Sequence, residues 1–104
     1  MNEIIIKGKT FKGDFKKGKQ SNALGFMWRP GMPKQKIRIE DCTIDAGAVA
    51  EGLKFSYCHD VIVQNCTIIG GFEDCVDIVR GGFMIFEKCR FVSKNTKHHF
   101  TIKC

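Results

Sequence analysis

Apolar and polar residues alternate through three segments that align without gaps: Ile37-Arg-Ile-Glu-Asp-Cys-Thr-Ile44, Val61-Ile-Val-Gln-Asn-Cys-Thr-Ile68 and Met84-Ile-Phe-Glu-Lys-Cys-Arg-Phe91. A period of two is that of a strand with one buried face; a helix would space its apolar residues by three and four. Ile37, Ile39, Cys42 and Ile44 are therefore predicted to point inward, and Arg38, Glu40 and Thr43 outward. The aligned Cys42, Cys66 and Cys89 recur at intervals of 24 and 23 residues. A second set, Leu53-Lys-Phe55, Val76-Asp-Ile78 and Phe100-Thr-Ile102, keeps nearly the same period, and Ile4-Ile-Ile6, Lys9-Thr-Phe11 and Leu24-Gly-Phe26 extend both columns backwards.

A strand-only repeat with glycine corners predicts an all-β fold: a right-handed, single-stranded parallel β-helix of about four coils of about 23 residues. It fills residues 1–104 as one domain with no obvious C-terminal cap, and is read as complete or as the N-terminal part of a longer helix. The two prolines around Gly31 mark residues 29–36 as a loop insertion, because proline cannot donate to a strand ladder. Gly70-Gly71 and Gly81-Gly82 are expected to supply corners with positive φ. Stacked coils bring each inward residue onto its counterpart, so Cys42, Cys66 and Cys89 are expected to form a core ladder of reduced thiols. One thiolate per coil does not converge on a tetrahedral point, and no Cys-x-x-Cys pair occurs, so zinc is not expected. A leucine-rich repeat has a similar period, but its Leu-x-x-Leu-x-Leu signature is missing.

Composition adds less. At 43% hydrophobic and 27% charged, the chain has the make-up of a globular domain, and no apolar stretch approaches the roughly 18 residues of a membrane span. Its first residues, Met-Asn-Glu-Ile-Ile-Ile, do not form a secretory signal, so synthesis in the cytoplasm without export by that route is expected. The net charge of +6 is concentrated early, at Lys7, Lys9, Lys12, Lys16, Lys17 and Lys19. This reads as a solvated basic surface or as a face for an acidic partner; no nucleic-acid motif accompanies it, and nucleic acid is not an expected ligand.

The run Asp60-Val-Ile-Val-Gln-Asn-Cys-Thr-Ile68, Glu73-Asp-Cys-Val-Asp-Ile78 and Phe83-Met-Ile-Phe-Glu-Lys-Cys-Arg-Phe91 resembles the pectate-lyase-like, or pectin-lyase-like, β-helix superfamily, with its lyases, glycoside hydrolases, phage tailspikes, adhesins and virion proteins. Glu73 and Asp77 are similar to the acidic pair that binds calcium in pectate lyases, and Glu51 to the second carboxylate of that family's Asp-x-Asp motif, whose first position is Val49 here. Lys97 falls where the family places a substrate-contacting lysine. The resemblance implies calcium as the one candidate cofactor, bridging the carboxylates to an acidic sugar. It also implies an arginine base from a later coil; Arg80 and Arg90 belong to earlier coils and do not match that motif. The alternative for Glu73, Asp74 and Asp77 is a polar outer face paired with Lys54 or Lys103. His98 and His99 are neighbours on a strand or corner, so they face opposite ways and do not act together.

Three functions follow as expectations. The first is a non-catalytic structural or recognition module of a phage particle or surface fibre, with the virion as its destination. It would self-associate or stack on another chain through open coil ends, helped by an outward strip of Ile62 and Ile85. The second is a calcium-dependent polysaccharide lyase, or a fragment of one, using Glu51, Glu73, Asp77 and Lys97. The third is a plain binder of acidic polysaccharide, with Trp28 and Tyr57, the single indole and phenol of the chain, as stacking surfaces.

Overall fold

The computed structural model describes residues 2–94 and 101–104. Among them the chain forms strands β1 (Asn2–Lys7), β2 (Thr10–Lys12), β3 (Asn22–Met27), β4 (Gln35–Glu40), β5 (Thr43–Asp45), β6 (Glu51–Ser56), β7 (Asp60–Gln64), β8 (Thr67–Ile69), β9 (Val76–Val79), β10 (Phe83–Glu87), β11 (Arg90–Val92) and β12 (Ile102–Lys103), with one 3₁₀ turn at Phe15–Lys17. Every third strand pairs in parallel, giving three sheets, β1-β4-β7-β10, β2-β5-β8-β11 and β3-β6-β9-β12. Three strands make a coil and four coils make the stack, a right-handed β-helix.

Register follows the alternation. Ile4, Ile37, Val61 and Met84 lie on one column, Ile6, Ile39, Val63 and Phe86 on the next, and Phe11, Ile44, Ile68 and Phe91 on the second sheet. Leu24, Leu53, Val76 and Ile102 close the core from the third sheet; Ile102 pairs with Val76 and not, as the aligned segments predict, with Ile78, and Phe100 lies outside the described residues. A one-residue slip would turn each of these sets to solvent, which fixes the pairing. Ile37, Ile39, Ile44, Leu53, Phe55, Val61, Val63 and Ile68 are fully buried in the two middle coils, whereas their counterparts in the end coils are half-buried. Phe26 stacks on Phe55, with ring centroids 5.7 Å apart.

The corners differ from the sequence expectation. Gly70, Gly71, Gly81 and Gly82 do not have positive φ; left-handed backbone occurs instead at Gly8, Asp41, Asn65 and Lys88, one after each strand of the first sheet. Asp41 and Asn65 tolerate this conformation better than most side chains, and the Asn65 amide nitrogen donates to the Asp41 carboxylate at 2.8 Å. Gly71 is needed for space: a β-carbon there would overlap the Val49 carbonyl oxygen of the neighbouring coil. The proline loop spans residues 28–34 rather than 29–36, because Gln35 and Lys36 already pair with Asn2 and Glu3. Ile62 and Ile85 are in register on the outer face, but Arg38 separates them from Ile5, which is 62% exposed.

The burial contrast sets an expectation for stability. Ile39→Ala should cost about 2–5 kcal/mol in urea denaturation, and Ile5→Ala within about 0.5 kcal/mol of nothing. Equal losses at the two positions would refute this register.

Candidate functional site

The third sheet ends at Met27, Ser56 and Val79, which lie in one column. The following residues, Trp28, Tyr57 and Arg80, therefore occupy successive rungs of one corner. The Trp28 amide donates to the Ser56 carbonyl at 2.9 Å and the Tyr57 amide to the Val79 carbonyl at 2.8 Å, continuing the ladder into the turn. Tyr57 and Arg80 then take left-handed φ values of 59° and 48°. Tyr57 is 46% exposed and Arg80 is exposed.

Trp28 is fixed from two sides. Its Nε1 donates to the Met32 carbonyl at 3.2 Å, and its ring meets His59 edge-on with centroids 4.7 Å apart. Trp28 and Tyr57, 29 residues apart in sequence, are thereby brought together with Met27, Arg29 and Pro30 around a cleft of about 240 Å³. A second cleft of about 360 Å³, lined by Asn22, Gly25, Phe26, Met27, Lys54 and Ser56, adjoins it through Met27. The sequence reading weighed Arg80 only against the lyase arginine motif and Arg29 only as the start of the proline loop. The signal for Arg80 was present, since Trp28, Tyr57 and Arg80 all stand two residues after the aligned Phe26, Phe55 and Ile78.

Of the acidic residues, Glu51 in β6 and Asp77 in β9 occupy the same sheet nearer its start, and Glu73 lies in the turn before β9. Glu51, at the first position of β6, is 2% exposed, and its Oε2 has no hydrogen-bond partner. Burial first, then a hydrogen bond to Glu73 and repulsion from Glu73 and Asp77, push the Glu51 carboxyl up to about 7 against the opposing pull of Lys54. Asp77 instead meets Lys54, Nζ to Oδ2 3.6 Å, across adjacent coils. The structure thus brings Glu51 within interaction range of Glu73, Asp77 and Lys54. Among the described residues, no group of three or more His, Cys, Asp or Glu side chains is arranged to hold a metal ion. Lys97, with His98 and His99, lies outside the described residues.

Cys42, Cys66 and Cys89 stand at equivalent rungs, and each is free. Each thiol lies against the carbonyl two residues earlier, at 3.1, 3.2 and 3.4 Å, and against a carbonyl of the preceding coil. Burial pushes the Cys66 thiol up to about 11 and raises those of Cys58 and Cys75. A thiol held protonated is a poor nucleophile and a poor metal ligand.

The family model for the right-handed β-helix region matches residues 2–103, and the chain belongs to that family. No curated protein and no solved structure matches it.

Glu51 gives the fold a pH dependence whose sign is set by its raised value. The folded state holds a proton that the unfolded chain releases near 4.5, so stability is highest below that value and falls as pH rises to about 7. The loss amounts to about 3 kcal/mol. Glu51→Gln should flatten this slope and be the more stable form at pH 8, as read from urea midpoints at several pH values. An unchanged slope in the variant would assign the dependence elsewhere.

Proposed function

From membership of the right-handed β-helix family, we propose a non-catalytic recognition module, of the kind built into a phage particle or surface fibre, that holds an acidic polysaccharide along the Trp28–Tyr57–Arg80 corner. The observation that carries this reading is the convergence of the indole and the phenol on one cleft, with a guanidinium on the next rung. Rungs about 4.8 Å apart place these three side chains at intervals comparable to a sugar ring. Aromatic faces take the C–H face of a pyranose, and a guanidinium takes a carboxylate through two parallel hydrogen bonds. The net charge of +6 favours approach of a polyanion.

A second reading, a calcium-dependent polysaccharide lyase or a fragment of one, is favoured by the meeting of Glu51, Glu73 and Asp77. There calcium would have to displace the proton of Glu51 and compete with Lys54 for Asp77. Calorimetry with about 1 mM calcium separates the two readings. Heat of binding that is lost in Glu73→Gln supports the lyase, and no heat removes it.

Binding to a panel of acidic and neutral polysaccharides tests the first reading. Trp28→Ala and Tyr57→Ala should each weaken binding about tenfold, or about 1.4 kcal/mol. Arg80→Ala should weaken binding to uronate polymers and leave neutral ones unaffected, and the polymer should remain uncut. Undiminished binding by the Trp28→Ala, Tyr57→Ala double variant would overturn the corner as the site.

A further inference from the structure

The proline loop is closed on Arg29 by two sulfur atoms. The Met32 amide donates to the Arg29 carbonyl at 3.1 Å across Pro30 and Gly31, and Gly31 takes a φ of 97°, the signature of a type II turn. In return the Arg29 amide donates to Met32 Sδ at 3.3 Å, while Arg29 Nε donates to Met27 Sδ at 3.1 Å. One arginine is thus held by two thioethers, through its backbone by one and through its guanidinium by the other. The same turn presents the Met32 carbonyl that accepts from Trp28 Nε1 at 3.2 Å. How Arg29 and Met32 are joined therefore decides where the indole sits.

Thioethers are weak acceptors, and these two are open to oxidants. Met27 is 49% exposed and Met32 38%, whereas Met84 packs against the core. A hydroperoxide reaches a thioether according to its exposure. The sulfur lone pair attacks one peroxide oxygen, the S–O bond forms as the O–O bond breaks, and water leaves when the oxidant is hydrogen peroxide. The sulfide is oxidised by two electrons and the peroxide is reduced by two. The product sulfur is positively polarised and no longer accepts an N–H, but its oxygen is a strong acceptor. At Met27 the guanidinium is free to follow that oxygen. At Met32 the donor is a backbone amide, which follows only if the turn moves, and the Met32 carbonyl and Trp28 move with it. We propose that Met27 and Met32 form a peroxide-sensitive clamp on Arg29, whose oxidation to sulfoxides resets the proline loop and rearranges the cleft between Trp28 and Tyr57.

The cleft is the one assigned to polysaccharide, but neither the oxidation nor its optical readout needs a ligand, so either idea can fail without the other. Dilute hydrogen peroxide followed by peptide mass spectrometry should add one oxygen to Met27 and to Met32 about tenfold faster than to Met84. Trp28 is the single indole of the chain, so its emission should shift in step with the oxygen at Met32. Methionine sulfoxide reductases, one for each epimer, should reverse both changes. The Met27→Leu, Met32→Leu double variant keeps the apolar volume and should fold, as read by circular dichroism, yet its emission should ignore peroxide. If the double variant does not fold, Met32→Leu alone, which should lose most of the shift, carries the same test. A shift that persists in these variants would come from the thiols and would overturn the proposal. So would oxidation of Met84 at the same rate, or sulfoxides at Met27 and Met32 that leave the emission of Trp28 unchanged.

Discussion

Parallel pairing in strict register is the constraint on which the rest of this molecule depends. Each position has as its nearest neighbours the equivalent positions one coil above and below, so a side chain is chosen chiefly for how well it sits on its own counterpart. Isoleucine on isoleucine at Ile44 and Ile68, and isoleucine on valine at Ile37 and Val61, fill the interior. The same rule governs the outer face, where Lys7 meets Glu40 and Lys54 meets Asp77 across one rung.

Stacking also explains the thiols. In a parallel column identical side chains point the same way, and a small polarizable group with a weak donor satisfies carbonyls just past a tight corner. Cys42, Cys66, Cys89 and Cys58 each follow a residue with left-handed backbone, respectively Asp41, Asn65, Lys88 and Tyr57. Cysteine at that place is a corner residue, and at Cys58 and Cys66 burial raises the thiol and so suppresses its chemistry.

The strands were legible in the sequence because alternation repeats at a nearly constant interval; the exception is the last rung of the third sheet, where Ile102 pairs with Val76 and not with the aligned Ile78. What was hidden lies at the corners, where alternation stops. Asp41, Asn65 and Lys88 stand at one aligned position before the cysteines, but Lys88 lacks the short polar side chain of the other two, so alternation did not announce their shared left-handed backbone. Gly71 and Gly82 serve close approach of neighbouring coils instead, to Val49 and His59. Glu51 was grouped with Glu73 and Asp77 through the resemblance, but at the first residue of its strand nothing in its neighbours foretold its burial. Trp28 and Tyr57 were singled out by rarity; their adjacency, and the place of Arg80 beside them, came from counting rungs beyond the aligned strands.

The interval between the first and second coils is 33 residues, against 24 and 23 for those that follow, measured from Ile4 to Ile37, Val61 and Met84. All of the surplus is taken up between strands, in the 3₁₀ turn and the proline loop, and no rung is lost. Length and composition can therefore be rewritten at the corners while the stack keeps its register. The loop that carries Trp28 is in this sense an exchangeable part: a lineage could swap it to follow a changing surface without having to solve the folding problem again.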